Sequence, residues 1–499
     1  MKDKIIFWLN PDFTIFAIAN ELQKKFDSDF YAIIDITNKP KEFFINQKLI
    51  EFKKTWFYHD NINPNKKPDL EYLKYFEKKY KINLWIFAYN ERLFYNYNEF
   101  YQFSTDQVLS ILEQECKLFE SVIDEINPTF LIMFNTMFHY DHLFYEICKQ
   151  KSVIPLILND ARLGRRWTVS SIPDNFDFLP DSFQENTNLK TFEELQSLRE
   201  KYDMYTTVTD MENDFLKSKT KMLMAAIRFL FFNDNNHRKT HYTYFGRTKL
   251  KVLFHSLKYY FIEPYRLYFI NKNFLHKIDN EQFIYFALPA EPERTVLLAA
   301  PFYSNHLDMI SSIVKSLPIG YKLYVKEHPA MNSRGWRKTS YYKQLMKLPN
   351  VKLVHPDVKS EDVIKKSSLV IAVSNTSGFE AAFFNKPSIV FADTNYSVLS
   401  NVLRLKSMED LPEAIRISLT KKVNPLEFGE YLETILANTC EFDLYSFTND
   451  FSNQFYYKSF LVDVPIPEED LKLFLDSHHD MIEPVVDEFL KKLNTKEKT

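Results

Sequence analysis

The chain has 499 residues, which is too long for one core and predicts two or three domains, and 45% of the residues are apolar, which is enough for sizeable cores. No run of about 18 apolar residues occurs, which excludes a membrane-spanning helix; the three cysteines form no CxxC pair, which argues against a disulfide framework or a zinc site. The six glycines form neither GxGxxG nor GxxxxGK[ST], so a dinucleotide fingerprint and a P-loop are excluded as well.

The first half of the chain alternates loosely between strand-like and helical runs. Its start, Met1 to Asn10, has too short an apolar run and no small-residue cleavage site for a signal peptide, so it predicts a first strand and a cytoplasmic protein. Ser104 and Gln107 form a capping box that opens a long helix over residues 104–127. The predicted strands are residues 5–10, 30–36, 55–58, 84–88, 129–134 and 155–158.

Residues 176–280 break this alternation and form a predicted helical, basic insertion. Between residues 217 and 277 there are 13 Lys or Arg but only two carboxylates, Asp234 and Glu263, and aromatic residues are interleaved with the charges. Such a segment suits an anionic membrane surface or a polyanionic acceptor. The alternative is a solvated helical linker whose aromatic residues pack on the neighbouring domains. No nucleic-acid-binding motif accompanies the charge, so nucleic acid is not an expected partner.

The second half alternates strand and helix signals regularly, which predicts a parallel sheet covered by helices on both faces. The two halves together predict an α/β protein with two Rossmann-like domains that face a cleft, over residues 1–175 and 281–440, and a helical tail over residues 441–499. The predicted strands of the second half are residues 295–302, 321–327, 351–355, 369–374 and 388–393. The predicted helices between them are residues 306–317, 341–348, 361–367 and 377–385.

A cationic pair ends one of these strands, where an open parallel sheet binds its ligands. Lys326 and His328 stand at the strand end, and Pro329 cannot continue the ladder, so His328 is held at the rim. A histidine there can donate to a phosphate oxygen and a lysine adds charge, which indicates a phosphorylated ligand. The alternative is a surface histidine at an ordinary strand end.

A hydroxyl-rich turn follows the strand at residues 369–374. Ser374, Thr376 and Ser377, with the free N–H groups of the helix that begins here, suit an anion. Glu380 could accept hydrogen bonds from ribose hydroxyls. A competing account is that Ser377 and Glu380 form a capping box and use both side chains locally. The two accounts can coexist.

Four motifs follow one another in the second half of the chain. They are Pro289-Ala290-Glu291-Pro292-Glu293, the run from Tyr321 to Pro329, the run from Ser374 to Ala381, and the run from Asn385 to Phe391. Their order resembles that of bacterial capsule and surface-polysaccharide biosynthesis proteins, which are GT-B glycosyltransferases that include Kdo transferases. The His-Pro element is also similar to that of polysialyltransferases and teichoic-acid polymerases, which use cytidine-linked donors.

This resemblance implies a nucleotide-sugar donor, with cytidine as the expected nucleoside, bound by the C-terminal domain. It implies that His328 binds the donor phosphates, that the turn at 374–377 cradles them, and that Glu380 or Glu293 contacts the nucleoside. It further implies an acceptor in the N-terminal domain, where Arg162 matches an arginine of the family, and a terminal helix that packs back on that domain. No DxD pair stands at a strand end, so neither a metal nor another cofactor is expected.

An inverting transfer also needs a general base near the acceptor hydroxyl. Asp160 and Asp141 follow predicted strands of the N-terminal domain and are the leading candidates, with Asp160 ahead because Arg162 shares its loop and Asp141 can cap a helix. Asp12 is the third candidate. Asn135 and His139 lie close to Asp141 in the sequence, and their side chains suit binding of the acceptor sugar. Each of these carboxylates has a structural role as its alternative.

The leading hypothesis is therefore a glycosyltransferase that moves a sugar, for example Kdo or another acidic sugar, onto a surface or capsular polysaccharide or its lipid-linked primer. The expected location is the cytoplasm, with peripheral contact to the inner face of the membrane through residues 217–277. The alternatives are a glycerophosphotransferase that uses a CDP-glycerol-type donor and a non-catalytic capsule assembly or export protein.

Overall fold

A computed structural model of the chain describes residues 2–202, 219–234 and 236–495. Its strands form two separate sheets, one of seven strands and one of six, each covered by helices. The predicted α/β class is therefore confirmed.

The first sheet has the order β13-β6-β5-β4-β1-β2-β3. The strands β1 to β5 pair in parallel, whereas β6 and β13 are antiparallel additions at one edge. Its strands are β1 Lys4–Leu9, β2 Asp29–Ile34, β3 Phe52–Phe57, β4 Phe130–Phe134, β5 Ile154–Asp160, β6 Arg166–Ser170 and β13 Cys440–Glu441.

The second sheet is entirely parallel and has the order β12-β11-β10-β7-β8-β9. Its strands read as nearly continuous apolar runs because helices cover both faces. They are β7 Phe283–Ala287, β8 Lys322–Lys326, β9 Val351–Val354, β10 Leu369–Ala372, β11 Ser388–Val390 and β12 Val402–Arg404.

The α-helices of the described residues surround the two sheets. In the first half they are Thr14–Lys25, Asn38–Asn46, Leu70–Tyr80, Leu84–Asn90, Thr105–Ile126, His139–Gln150, Phe192–Lys201, Lys219–Ile227, His237–Thr240 and Lys249–Asn273. In the second half they are His306–Ser316, Met331–Arg334, Thr339–Leu345, Ser360–Lys366, Ser377–Phe383, Leu411–Thr420, Pro425–Ala437, Leu444–Phe455, Glu468–Ser477 and His479–Thr495.

Both sheets have the strand order of a doubly wound Rossmann fold. From the middle of each sheet, successive strands are added first toward one edge and then toward the other. The reversal lies between β1 and β4 in the first sheet and between β7 and β10 in the second. In such sheets ligands bind outside the carboxyl ends of the strands at this reversal. Two contacts show that these ends face each other: Arg162, after β5, donates to the carbonyl of Ser374, after β10, and Arg294, after β7, donates to the carbonyl of Thr136, after β4.

The end of the chain returns to the first sheet. The strand Cys440–Glu441 pairs with β6, and the helices that follow it bury Phe447, Phe474 and Phe489 in the same core as β1. Cys440 is the only one of the three cysteines with partial exposure. The residue boundaries between the domains and the insertion stay a prediction.

Two predicted strands are wrong. Residues 84–88 are helical, because Asn83 caps the helix Leu84–Asn90 by accepting from the Trp85 N–H, and Leu84, Phe87 and Ala88 are buried at helical spacing. Residues 295–302 form a π-type turn, Thr295–Ala299, and a 3₁₀ turn, Pro301–Tyr303. An apolar run of this length does not by itself distinguish a strand from a helix. The predicted capping box of Ser104 and Gln107 is present.

The insertion contributes the 25-residue helix Lys249–Asn273, which runs between the two domains. Near its start Lys251 donates to the carbonyl of Phe100, and near its end Arg266 donates to the carbonyl of Trp336. Within the described residues, no helix is long and apolar enough to cross a bilayer. Lys217, the first residue of the predicted basic segment, lies outside the described residues.

Candidate functional site

Lys326 ends β8 as a buried amine. Its residue is only 2% exposed, and among the described residues no side chain forms a hydrogen bond or ion pair with the Lys326 ammonium. Burial lowers the pKa of Lys326 from its usual 10.5 to about 8, against the charges of Glu327, Glu380 and Asp357. A buried ammonium without a direct partner is costly, so this position suits an anion that supplies the partner.

Glu327, next along the chain, holds the strand end in place. Its carboxylate accepts from the Arg337 guanidinium, from the Tyr342 hydroxyl at 2.7 Å and from the backbone N–H of His328 at 2.9 Å. Glu327 is therefore fully engaged with protein groups, and it fixes the backbone from which His328 projects.

The ring of His328 has a defined tautomer. Its Nδ1 accepts from the Ala330 N–H at 3.1 Å, so the proton of the neutral ring is on Nε2. Burial and the charges of Lys326, Arg334 and Arg337 lower the pKa of His328 to about 4, which keeps the ring neutral near pH 7. In the part of the chain that the structure describes, Nε2 has no hydrogen-bond partner. His328 thus offers one oriented N–H donor beside Lys326.

The turn after β10 lies on the other side of the strand reversal from β8. The Asn375 side chain donates to the carbonyl of Ala287, and its buried Oδ1 has no partner among the described residues. The Tyr396 hydroxyl donates to the carbonyl of Asn375 at 2.7 Å, and a Cβ at Gly378 would lie 2.9 Å from that hydroxyl. Only glycine lets the turn approach Tyr396 this closely.

The predicted capping box of Ser377 and Glu380 is wrong. The helix Ser377–Phe383 begins at Ser377 and has Thr376 at its N-cap, without a side-chain cap bond. Glu380 instead accepts from the hydroxyl of Thr376 at 3.0 Å, while Ser374 donates to the carbonyl of Thr295. The hydroxyl of Ser377 is therefore not used by a cap.

Glu380 lies beside a second carboxylate. Arg199, from the insertion, binds Glu361 at 2.9 Å and lies 4.0 Å from Glu380. Burial raises the pKa of Glu380, against the charge of Arg199 and the hydrogen bond from Thr376. Glu361 is also one of the residues around the cavity described next, so Glu380 and that cavity are neighbours.

A cavity of about 410 Å³ opens beyond the end of β9. Its wall contains two stacked imidazoles, His276 and His355, with ring centroids 4.3 Å apart. The remaining lining residues are Asp357, Val358, Lys359, Glu361 and Asp362. Since the carboxylate of Asp357 also acts on the pKa of Lys326, the cavity lies next to the cationic pair. Its volume is in the usual range for small-molecule sites.

An ionic cluster joins the two domains across the cleft. Asp174 accepts from Arg294 at 2.6 Å and from the Asn135 amide at 3.1 Å, and lies 3.9 Å from Arg162. Although burial opposes it, Arg294 and Arg162 lower the pKa of Asp174. Arg162 also donates to the carbonyl of Ser374 at 2.6 Å, so it connects the acceptor side directly to the turn after β10. Asn135 keeps a buried Oδ1 without a partner among the described residues.

Asp160 lies at the end of β5, in the same loop as Arg162. Its Oδ1 accepts from the Arg162 N–H at 2.8 Å, and its residue keeps solvent-exposed surface. Burial by the surrounding protein nevertheless raises the pKa of Asp160, against the charge of Arg162. Asp160 is therefore a carboxylate that solvent still reaches although protein atoms surround it.

Two of the predicted cleft residues lie in the core instead. His139 is 1% exposed, and its ring nitrogens bind Glu91 at 2.7 Å and Glu115 at 3.0 Å. Although burial opposes it, Glu115 and Glu91 raise the pKa of His139 to about 10. Asp141 is also 1% exposed, and it accepts from the N–H groups of Met137 and Phe138. Both side chains are therefore buried and bound to groups of the protein itself.

The other predicted carboxylates differ in their surroundings. Asp12, after β1, accepts from the Thr14 N–H at 2.8 Å at the start of a helix. Glu291 binds His306 at 2.9 Å and Arg337 at 3.2 Å, which, against the effect of burial, lower its pKa to about 2. Burial raises the pKa of Glu293, against the charges of Arg334 and Arg162.

Glu293 thus lies toward the domain junction, beside Arg162, rather than beside the cavity. Arg165 and Arg166 bind the C-terminal segment, through Asp443 and the carbonyl of Leu436 respectively. The pairing of Arg294 with Asp174 could not be predicted, because nothing in their local sequence marks them as partners. The same holds for His276 and His355, which come together only because residue 275 pairs with the end of β9.

The two facing Rossmann-like sheets, with polar groups at both strand reversals, define a GT-B fold, as predicted. A family model described as "Capsule polysaccharide biosynthesis protein" matches residues 187–400. This match confirms the predicted resemblance to capsule polysaccharide biosynthesis proteins. Lys326, His328 and the turn after β10 all lie within the matched range.

Solved structures with some likeness to the chain include an epimerase and a transferase. The UDP-GlcNAc 2-epimerase from Methanocaldococcus jannaschii is 14% identical, with 88% of this chain and 99% of that one covered and a TM-score of 0.25. The beta Kdo 2,4 transferase KpsC from Thermosulfurimonas dismutans is 12% identical, with 61% and 79% covered and a TM-score of 0.31. Similarity at this level carries no argument about activity. No curated protein sequence matches the chain significantly.

Proposed function

We propose that the chain is a glycosyltransferase that moves a sugar from a cytidine nucleotide donor onto a surface polysaccharide or its lipid-linked primer. The observation that carries this proposal is the unpartnered, buried ammonium of Lys326 beside the free N–H of His328. The match to the capsule polysaccharide biosynthesis family supports the class of product.

The donor phosphate binds between Lys326 and His328. A phosphate oxygen accepts from Nε2 of His328, whose proton is already oriented, and the phosphate charge gives Lys326 the partner that it lacks. When the donor's glycosidic bond breaks, negative charge develops on the leaving phosphate. Two fixed donors in a water-poor site stabilise that charge without reorganisation. The sequence contains no glycine-rich loop whose backbone could bind the phosphate, so these two side chains bind it instead.

The nucleoside occupies the cavity lined by His276 and His355. Its other lining groups include three carboxylates, Asp357, Glu361 and Asp362. Carboxylates accept from the exocyclic amine of cytosine, whereas uracil presents a carbonyl at the same position and is not favoured there. Glu380 lies near Glu361 through Arg199, and this position supports our assignment of Glu380 as an acceptor for the ribose hydroxyls. The acidic lining therefore supports cytidine over uridine.

The acceptor binds on the opposite wall, and Asp160 is the general base. As the acceptor hydroxyl attacks the anomeric carbon, its proton passes to the Asp160 carboxylate, and the bond from that carbon to the donor phosphate breaks. The raised pKa of Asp160 makes this carboxylate a better base. Arg162 positions the turn after β10 by its bond to Ser374.

Calorimetric titration of the purified protein with CMP, CDP, UMP, UDP and GDP tests the donor assignment. We expect a cytidine nucleotide to bind more tightly than its uridine counterpart, because only cytosine donates to the acidic lining. Asp362→Asn should reduce the difference in affinity between cytidine and uridine nucleotides. The same substitution at Asp308, in a helix of the same domain but outside the cavity lining, should leave this difference unchanged. Equal affinity for cytidine and uridine nucleotides would refute the base assignment. The absence of any nucleotide binding would refute the proposed function itself.

A further inference from the structure

The helix Lys249–Asn273 exposes an apolar face over most of its length. Leu250, Phe254, Leu257, Phe261, Tyr265 and Tyr268 recur every three or four residues, so they share one side of the helix. Leu250 is 80% exposed and Phe254 is 72% exposed. Contiguous exposed apolar surface of this extent marks an interaction site. We call these six residues the docking face.

The opposite side of the helix accounts for its attachment to the protein. Ile270 and Arg266 are the buried residues of the helix. Tyr259 donates to Glu99 at 2.6 Å, and Glu263 accepts from Arg266 and from the Trp336 N–H. The helix is therefore fixed by the side that carries Tyr259, Glu263, Arg266 and Ile270, and the docking face is not needed for packing. Other aromatic residues of the insertion, Tyr242 and Phe269, do pack on the domains, whereas those of the docking face are exposed.

A second apolar strip lies on the preceding segment of the insertion. Met222, Leu223 and Met224 are exposed on the helix Lys219–Ile227, and Phe231 and Phe232 are about three-quarters exposed just after it, at 75% and 74%. Lys249, at the start of the long helix, donates to the carbonyl of Leu230 and so ties the two segments together. The exposed apolar surface thus extends over both segments.

Basic side chains surround this surface. Lys251 and Lys258 are exposed on the long helix, and Lys239 and Lys272 are exposed before and near the end of it. Over residues 217–277 there are 13 Lys or Arg against two carboxylates, while the whole chain is at −3. The excess positive charge is therefore specific to this segment, and it complements an anionic surface.

We infer that the docking face binds the surface of an anionic phospholipid bilayer. An amphipathic helix with aromatic and aliphatic residues on one side and Lys or Arg beside them lies in the headgroup region, parallel to the membrane. Anionic headgroups attract each Lys or Arg near the surface. The helix is too polar to span the bilayer, which agrees with a helix that lies on it. This inference does not depend on the proposed transfer activity.

Sedimentation with vesicles tests the inference. We expect the wild-type protein to sediment with vesicles of phosphatidylglycerol and phosphatidylcholine at low salt, to sediment less at high salt, and to stay in solution with phosphatidylcholine alone. The double variant Phe254→Ser/Phe261→Ser should lose binding, and Lys251→Gln/Lys272→Gln should weaken it about 25-fold, at about 5-fold per charge. Ile319→Ser, at a fully exposed apolar residue outside the insertion, should bind as the wild type does.

The contrary outcomes are distinct. Wild-type protein that stays in solution with phosphatidylglycerol vesicles at low salt overturns the inference. Analytical ultracentrifugation detects the competing occupant, a second copy of the chain: a dimer that dissociates in Phe254→Ser/Phe261→Ser, without vesicle binding, also overturns it. Because both phenylalanines are exposed, the double variant should melt as the wild type does, and a thermal melt checks this.

Discussion

Replacing Lys326 by methionine should change stability and nucleotide binding in opposite directions. Methionine keeps the length and packing of the side chain but removes the charge. In the free protein the Lys326 ammonium is buried without a direct partner, so its removal should stabilise the fold. In the nucleotide complex the same ammonium binds the phosphate, so its removal should weaken binding.

The magnitude follows from the pKa of Lys326, which burial lowers from 10.5 to about 8. A lowered pKa for a base means that charging this amine opposes folding. The penalty is fully present below about pH 8 and disappears as the pH rises through 10.5, the value in the unfolded chain. A shift of this size corresponds to about 3 kcal/mol at pH 7. Loss of one charged hydrogen bond to phosphate should cost about 1.5–3 kcal/mol of binding, or about 10- to 150-fold in Kd.

Urea denaturation at pH 7 and near pH 10 measures the first effect, and nucleotide titration measures the second. Lys326→Met should be more stable than the wild type at pH 7, the difference should shrink near pH 10, and nucleotide affinity should fall. Lys322→Met, at the other end of β8 and paired with Glu281 on the surface, should not change nucleotide affinity. A Lys326→Met variant that is less stable at pH 7 and binds nucleotide normally would refute the reasoning, because the ammonium would then have a protein partner.

Three further predictions concern the cleft and the core. His328→Ala should lower nucleotide affinity at least about 10-fold by titration calorimetry, with a melting temperature within a few degrees of the wild type, because within the protein only the Ala330 N–H loses its acceptor; unchanged affinity would make His328 a simple strand-end residue. Asp160→Asn should reduce turnover at least about 100-fold with donor binding intact, whereas Asp141→Asn should mainly lower stability, by about 1 kcal/mol; normal turnover in Asp160→Asn would exclude it as the base. Glu91→Gln should destabilise the fold by about 3 kcal/mol without changing nucleotide affinity. The pKa of His139 is raised to about 10, so the charged ring contributes fully to the free energy of unfolding below about pH 6.5, and this contribution is lost as the pH rises through 10. Urea denaturation should therefore show that the loss of stability in Glu91→Gln becomes smaller between about pH 6.5 and 10.

The parts of the fold with strong local signals could be predicted from the sequence. The apolar runs of β8 and β10, each followed by polar residues, indicate buried parallel strands and their carboxyl ends. The predicted strand at residues 84–88 is wrong because a short apolar run fits a strand and a helix equally well. The N-cap hydrogen bond of Asn83 stabilises the helix here.

The contacts that shape the site depend on tertiary structure. Asp174 and Arg294 are 120 residues apart in the sequence, and nothing local predicts their ion pair. His139 follows a strand of the N-terminal domain, as a ligand-binding residue would, yet Glu91 and Glu115 bind both of its ring nitrogens in the core. Sequence position can identify the end of a strand, but it cannot show which side chains there already have protein partners.

The central claim is that Lys326 and His328 bind the phosphate of a nucleotide sugar. A crystal structure of the protein with CMP or CDP tests it most directly. The account predicts a phosphate oxygen within hydrogen-bond distance of Lys326 Nζ and of His328 Nε2, with the cytosine ring in the cavity beside His355. A nucleotide phosphate bound at any other place in the cleft, with Lys326 still unpartnered, would contradict it.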